Sequence, residues 1–201
     1  MAYNTFTLKD VRVRLGISVD DVQGTFAPIE PVEVSDVLRQ YLRDSAPLAL
    51  AFGTEKARSE MIVSPILMEV WRQRKGQMSL FSGADFNVDP ERGLVGYCDF
   101  LLSTSRQQLE LEAPLVAVVE AKKEDLNPGT PQCIAEMVAV RTFNAREGRE
   151  VPIVYGAVTS GSNWRFLRLQ GDRAEIDLTE YYLADLGRIV GILVRMMEGR
   201  A

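Results

Sequence analysis

The chain has 201 residues, 46% hydrophobic and 25% charged, a composition that suits one globular domain with a buried core and argues against wholesale disorder or a two-domain enzyme. Its 23 basic and 28 acidic residues leave a formal charge of −5, which speaks against a uniformly basic surface for indiscriminate nucleic-acid binding but not against a local basic groove. There is no histidine, so Ser-His-Asp and Cys-His catalysis, imidazole bases and histidine-bearing zinc sites are excluded, leaving carboxylates, lysine, hydroxyls or a bound metal.

Residues 1–53 read as a polar, proline-broken accessory segment. Thr7 caps a short helix to about Gly16, Ser35 caps another to about Arg43, and Pro28 and Pro31 stiffen the loop between them. Residues 54–201 read as the main domain. Thr54 is a good N-cap for a long helix that Pro65 should kink. Three extended segments follow, over 78–88, 94–103 and 114–121, bounded by DPERG and TSRQQ. Thr130-Pro131 then opens a helix toward Gly148, residues 151–159 and 163–169 form two more strands, and Thr179 opens a final helix. The expected fold is therefore α/β, a mixed β-sheet flanked by helices. An apolar stripe on the final helix, Tyr182, Leu186, Ile189, Leu193 and Met197, suggests a packing face large enough for a homodimer.

Chemistry concentrates where two apolar strands turn polar. In PLVAVVEAKKED, Glu120 and Lys122 project to one face while Ala121 points to the other, because side chains alternate along a strand. Asp99 interrupts the preceding strand, GLVGYCDFLLS, and a carboxylate there is costly unless it is paired or binds a metal. The 21 positions from 99 to 120 allow one strand to turn and the next to return beside it. Two converging carboxylates, with the Ala121 backbone carbonyl between Glu120 and Lys122, make a hard oxygen site suited to Mg²⁺ or Mn²⁺. A lysine beside such a site can orient an attacking water and stabilise charge developing on a phosphate.

Asp99 followed by Glu120-Ala121-Lys122, in the order helix, three strands, helix, strand, resembles the PD-(D/E)xK nuclease superfamily, the fold of restriction endonucleases and many repair nucleases. The resemblance spans about residues 55–169 and departs from the pattern in having Cys98, not proline, before Asp99. It implies a restriction-endonuclease-like αβββαβ core with an N-terminal helical extension and a C-terminal helix. It implies a metal-dependent nuclease, endo- or exo-acting, with Asp99 and Glu120 holding Mg²⁺ or Mn²⁺, Lys122 positioning water, and nucleic acid, DNA first, as partner. Two further residues fit it. Glu60 lies at the helical angle of Val63, Leu67 and Trp71, so its carboxylate is expected on the core side, where a glutamate of related nucleases reaches the metal. Gln132, early in the next helix, is expected near the active site and the phosphate. Two rivals stand beside this reading: a nuclease-like fold serving as a nucleic-acid-binding or protein-interaction module, and a buried structural network of charges. The two cysteines, Cys98 and Cys133, are too few for a disulfide framework and point to a reduced, cytoplasmic setting. No apolar stretch approaches the ~18 residues of a membrane span, and the N-terminus lacks the order of a secretory signal.

Overall fold

A computed structural model describes residues 2–201. The central strands are β4 (Leu115–Ala121) and β5 (Val154–Thr159), both buried along their whole length. They run parallel, as near-continuous apolar runs covered on both faces do, and the connection between them is α5 (Gly129–Arg146). To one side β3 (Tyr97–Ser103) and then β2 (Ser79–Asp85) pair antiparallel. To the other lie β6 (Asn163–Gln170), then β7 (Arg173–Asp177) and the two-residue β8 (Tyr181–Tyr182) on the same edge of β6. The sheet closes with β1 (Ser18–Val22), parallel to β7, giving the order β1-β7-β6-β5-β4-β3-β2.

Helices cover both faces. On one, α2 (Asp36–Phe52), α4 (Ser64–Gln73) and α6 (Leu186–Met197) set Leu38, Leu42, Ile66, Leu67, Ile189 and Leu193 against Phe100, Val119 and Phe166. On the other, α1 (Leu8–Arg14) and α5 set Val11, Ile134 and Val138 against Leu101, Val118 and Leu167. Every residue of α5 from 129 to 140 is buried, polar ones included. The close approach of α5 to β5 is possible because β5 carries Gly156, where a Cβ would lie 2.6 Å from Met137 Sδ and 2.7 Å from Cys133 Sγ. These features bear out the α/β mixed sheet between helices.

Several expectations change in detail. The 1–53 segment supplies β1 to the sheet, and its Phe26, Val34, Leu38 and Leu42 join the main core. The helix capped by Ser35 runs on to Phe52. Helix α5 begins at Gly129, one residue before Thr130, whose hydroxyl bonds back to the Leu126 carbonyl. Thr179 opens no helix: its hydroxyl accepts from the Gly24 amide and its own amide donates to Asp177, and the last helix begins at Leu186. The apolar stripe does not call for a second subunit either. Leu186, Ile189, Leu193 and Met197 are consumed by this chain's own core, and Tyr182 lies on β8 rather than on the helix. Among the described residues no helix is long and apolar enough to cross a membrane.

Candidate functional site

The β3–β4 ladder pairs Phe100 with Val119 and Leu101 with Val118. One step further, the same register sets Asp99 opposite Glu120, so both carboxylates project from the sheet face that carries α5. The Ala121 amide donates to Asp99 Oδ2 at 2.8 Å. Since the N–H and C=O of a strand residue point to the same side, the Ala121 carbonyl also lies on the Asp99 side of β4. The Lys122 amide donates to the Thr159 carbonyl at 2.7 Å, which prolongs the β4–β5 pairing past Ala121.

Lys122 then turns its ammonium back along the strand. Nζ donates to Glu120 Oε1 at 2.6 Å and to Gln132 Oε1 at 3.1 Å. Gln132 is buried in the first turn of α5, and its Nε2 donates to Glu136 Oε1 at 3.0 Å, one helical turn further on. Gly129 permits this packing: a Cβ there would lie 2.6 Å from Val158 Cγ1 and 2.9 Å from Lys122 Cγ. The sequence expectations for Asp99, Glu120, Ala121, Lys122 and Gln132 thus meet at one place. Lys123, one residue along, is exposed and reaches Gly53 on the opposite side of the sheet.

Glu60 does not join them. It is 65% exposed in its side chain and pairs with Lys56 at 3.6 Å. The cause is a π-helical turn, Ser59–Val63, between α3 (Glu55–Arg58) and α4. Pro65 has no amide to offer the Met61 carbonyl, which accepts instead from the Ser45 hydroxyl at 2.8 Å. The extra residue in the turn rotates everything before it by about 100° relative to a continuous α-helix. The buried line of this helix therefore runs from Val70, Leu67 and Ile66 through Val63 and Ile62 to Arg58, while Glu60 swings to solvent. Arg58 donates to the Ser160 carbonyl at 2.9 Å, tying the helix to the end of β5. The carboxylate of this helix that does reach the site electrostatically is Glu55, which acts on both Glu120 and Lys122.

The site is acidic and mostly buried. Burial, then the Asp99 charge, push Glu120 up to about 8 against the opposing pull of Lys122. Burial raises Asp99 as well, partly offset by the Ala121 amide and Lys122. Burial alone would lower the Lys122 ammonium, but Glu120, Glu55 and Asp99 outweigh it and the net direction is upward. Glu136, fully enclosed, is pushed well above the usual carboxylate range by burial and then by Glu120.

Mg²⁺ commonly takes one or two protein carboxylates and keeps several waters, and the donors here fit that demand. Glu120 Oε2 is buried with no hydrogen-bond partner, and it belongs to a carboxylate opposed to a second one. Asp99, Glu120 and the Ala121 carbonyl would hold such an ion; Glu60 would not. Among the described residues no group of three or more His, Cys, Asp or Glu is arranged as an all-protein cage.

Two participants escape a reading of the sequence. Glu136 was available from its spacing, four residues after Gln132 and so on the same helix face. Glu55, exposed at the start of α3, acts on the site only weakly and through its charge. Two arginines at the end of α4 are engaged within the chain: Arg74 pairs with Glu198 at 3.0 Å, and Arg72 lies 4.0 Å from Glu69. Trp164 is buried, bonded to the Gly161 carbonyl, and Trp71 sits at the rim. Comparison with protein-family models finds no match for this chain, and a search of curated proteins finds none either.

Proposed function

We propose that this chain is a metal-dependent nuclease of the PD-(D/E)xK type, hydrolysing phosphodiester bonds of nucleic acid, DNA first, with Mg²⁺ or Mn²⁺. The observation that carries the reading is the meeting of Asp99, Glu120 and Lys122 on one sheet face, with Glu120 Oε2 left free and buried. The chain order α4, β2, β3, β4, α5, β5 agrees with the αβββαβ core that the resemblance implies. A divalent cation, when bound, supplies a Lewis acid for the phosphoryl oxygen and lowers the pKa of a coordinated water.

The protein's own residues do the rest. Asp99 and Glu120 provide oxygen donors whose mutual repulsion a cation relieves. The Lys122 ammonium, fixed between Glu120 and Gln132, aligns an attacking water by hydrogen bond and stabilises the negative charge that grows on the phosphate oxygens. Water oxygen bonds to phosphorus as the bond to the leaving ester oxygen breaks; the water gives up one proton to solvent and the leaving oxygen takes one up from solvent. The two cysteines are buried and unpaired, which suits a reducing compartment such as the cytoplasm.

The test is a cleavage panel over single- and double-stranded DNA and RNA with Mg²⁺ or Mn²⁺. Lys122→Ala should lose on the order of 10²-fold or more of cleavage while largely keeping binding, and Lys123→Ala should stay near wild type. Nucleic-acid binding by the wild type without metal-dependent cleavage of any strand type would replace this reading with that of a binding module.

A further inference from the structure

Gln132 makes two hydrogen bonds whose directions are not interchangeable. An ammonium can only donate, so the group facing Lys122 Nζ at 3.1 Å must be the amide oxygen, and the amide nitrogen is left to face Glu136 Oε1 at 3.0 Å. Glu136 therefore has to accept. We propose that Glu136 is a positioning residue of this site: by holding Gln132 Nε2 it locks the amide oxygen toward Lys122, and so fixes the ammonium against Glu120.

Three facts support it. Glu136 is fully buried in the middle of α5, where an acidic side chain is costly unless it serves a purpose. No cation lies within 4 Å of it among the described ion pairs, so charge neutralisation is not that purpose. Its second oxygen, Oε2, is buried without a partner, so the whole of its hydrogen bonding within the chain is spent on Gln132. Burial and the Glu120 charge push this carboxyl upward, and Oε1 can accept from Gln132 Nε2 whether or not the carboxyl carries a proton.

The positional claim stands on the hydrogen bonds alone; only its catalytic consequence rests on the nuclease reading. The test uses the full chain and two variants that both remove the carboxylate. Glu136→Gln keeps an acceptor oxygen for Gln132, and Glu136→Leu does not. The primary readout is solvent exchange of the Gln132 side-chain amide and of the Lys122 ammonium protons by NMR. Exchange should stay near wild type in Glu136→Gln and accelerate about tenfold in Glu136→Leu, the scale of one lost hydrogen bond. Gln132→Leu, which removes the bond to Lys122 itself, should free the ammonium to the same degree and sets the full size of the effect; if Glu136→Leu fails to fold, Glu136→Met, unbranched like glutamate and without its acceptor oxygens, takes its place. Where cleavage is measurable, kcat should fall in Glu136→Leu with KM unchanged and be rescued in Glu136→Gln.

Equal acceleration in Glu136→Gln and Glu136→Leu would overturn the proposal in favour of a charge effect. So would unchanged Lys122 exchange in Gln132→Leu. Absent cleavage with the expected exchange pattern would count against the nuclease reading while sustaining the role of Glu136.

Discussion

Gly129 is the point at which the fold and the candidate site constrain each other. It is the first residue of α5, and a Cβ there would meet Val158 Cγ1 at 2.6 Å, Lys122 Cγ at 2.9 Å and Lys122 Cε at 3.1 Å. Val158 is a buried, β-branched residue of a central strand and cannot withdraw, so Gly129→Ala must push the first turn of α5 outward or displace Lys122. Overpacking of this kind costs about 1–3 kcal/mol. Alanine returns about 0.5–1 kcal/mol through its better helix propensity, leaving a net loss of up to about 2.5 kcal/mol. A chain of this size loses about 2–4 °C per kcal/mol, so Tm should fall by up to about 10 °C. Differential scanning calorimetry measures the shift, and NMR exchange of the Gln132 amide shows whether the first turn has moved from Lys122. A variant as stable as wild type, with unchanged exchange, would refute the claim that close packing of α5 on β4 and β5 builds this site.

The opposed carboxylates predict that Mg²⁺ or Mn²⁺ raises Tm, by about 1.4 kcal/mol of added stability at ten times Kd; Asp99→Asn should shrink the shift, and an equal shift in both proteins would locate the ion elsewhere. Glu136 has a folded-state pKa above its unfolded one, so its contribution to stability is complete below about pH 4.5 and is lost as pH rises toward the folded value. Glu136→Gln should therefore gain on wild type as pH increases, a trend that urea titrations at pH 5 and pH 8 would reveal or deny. Asp177, fully buried, accepts from the amides of Gly24, Phe26 and Thr179 and from the Tyr181 hydroxyl. Asp177→Ala should cost about 3–5 kcal/mol, since several buried donors lose one shared acceptor, and a loss below 1 kcal/mol in chemical denaturation would contradict that accounting.

What the sequence alone determines here is local. Strand alternation places Glu120 and Lys122 on one face, and a 21-position return brings Asp99 beside them, because both follow from backbone geometry over a short stretch of chain. The helix-strand order of residues 55–169 follows likewise from capping residues, prolines and apolar periodicity. Tertiary structure decides the rest. Helical periodicity assigns Glu60 to the core, yet a π turn that coincides with Pro65 and a Ser45 hydroxyl from another helix rotates it outward and brings Arg58 in. Residues 18–22 carry no strand signal of their own strength; they are a strand because β7, residues 173–177, offers them an edge. The stripe on α6 looks unpartnered until Leu38, Leu42 and Phe166, far away in sequence, arrive to cover it. Local chemistry is written in the backbone's periods of 2 and 3.6, but which polar side chain ends up buried depends on groups that only a closed fold brings within hydrogen-bonding distance.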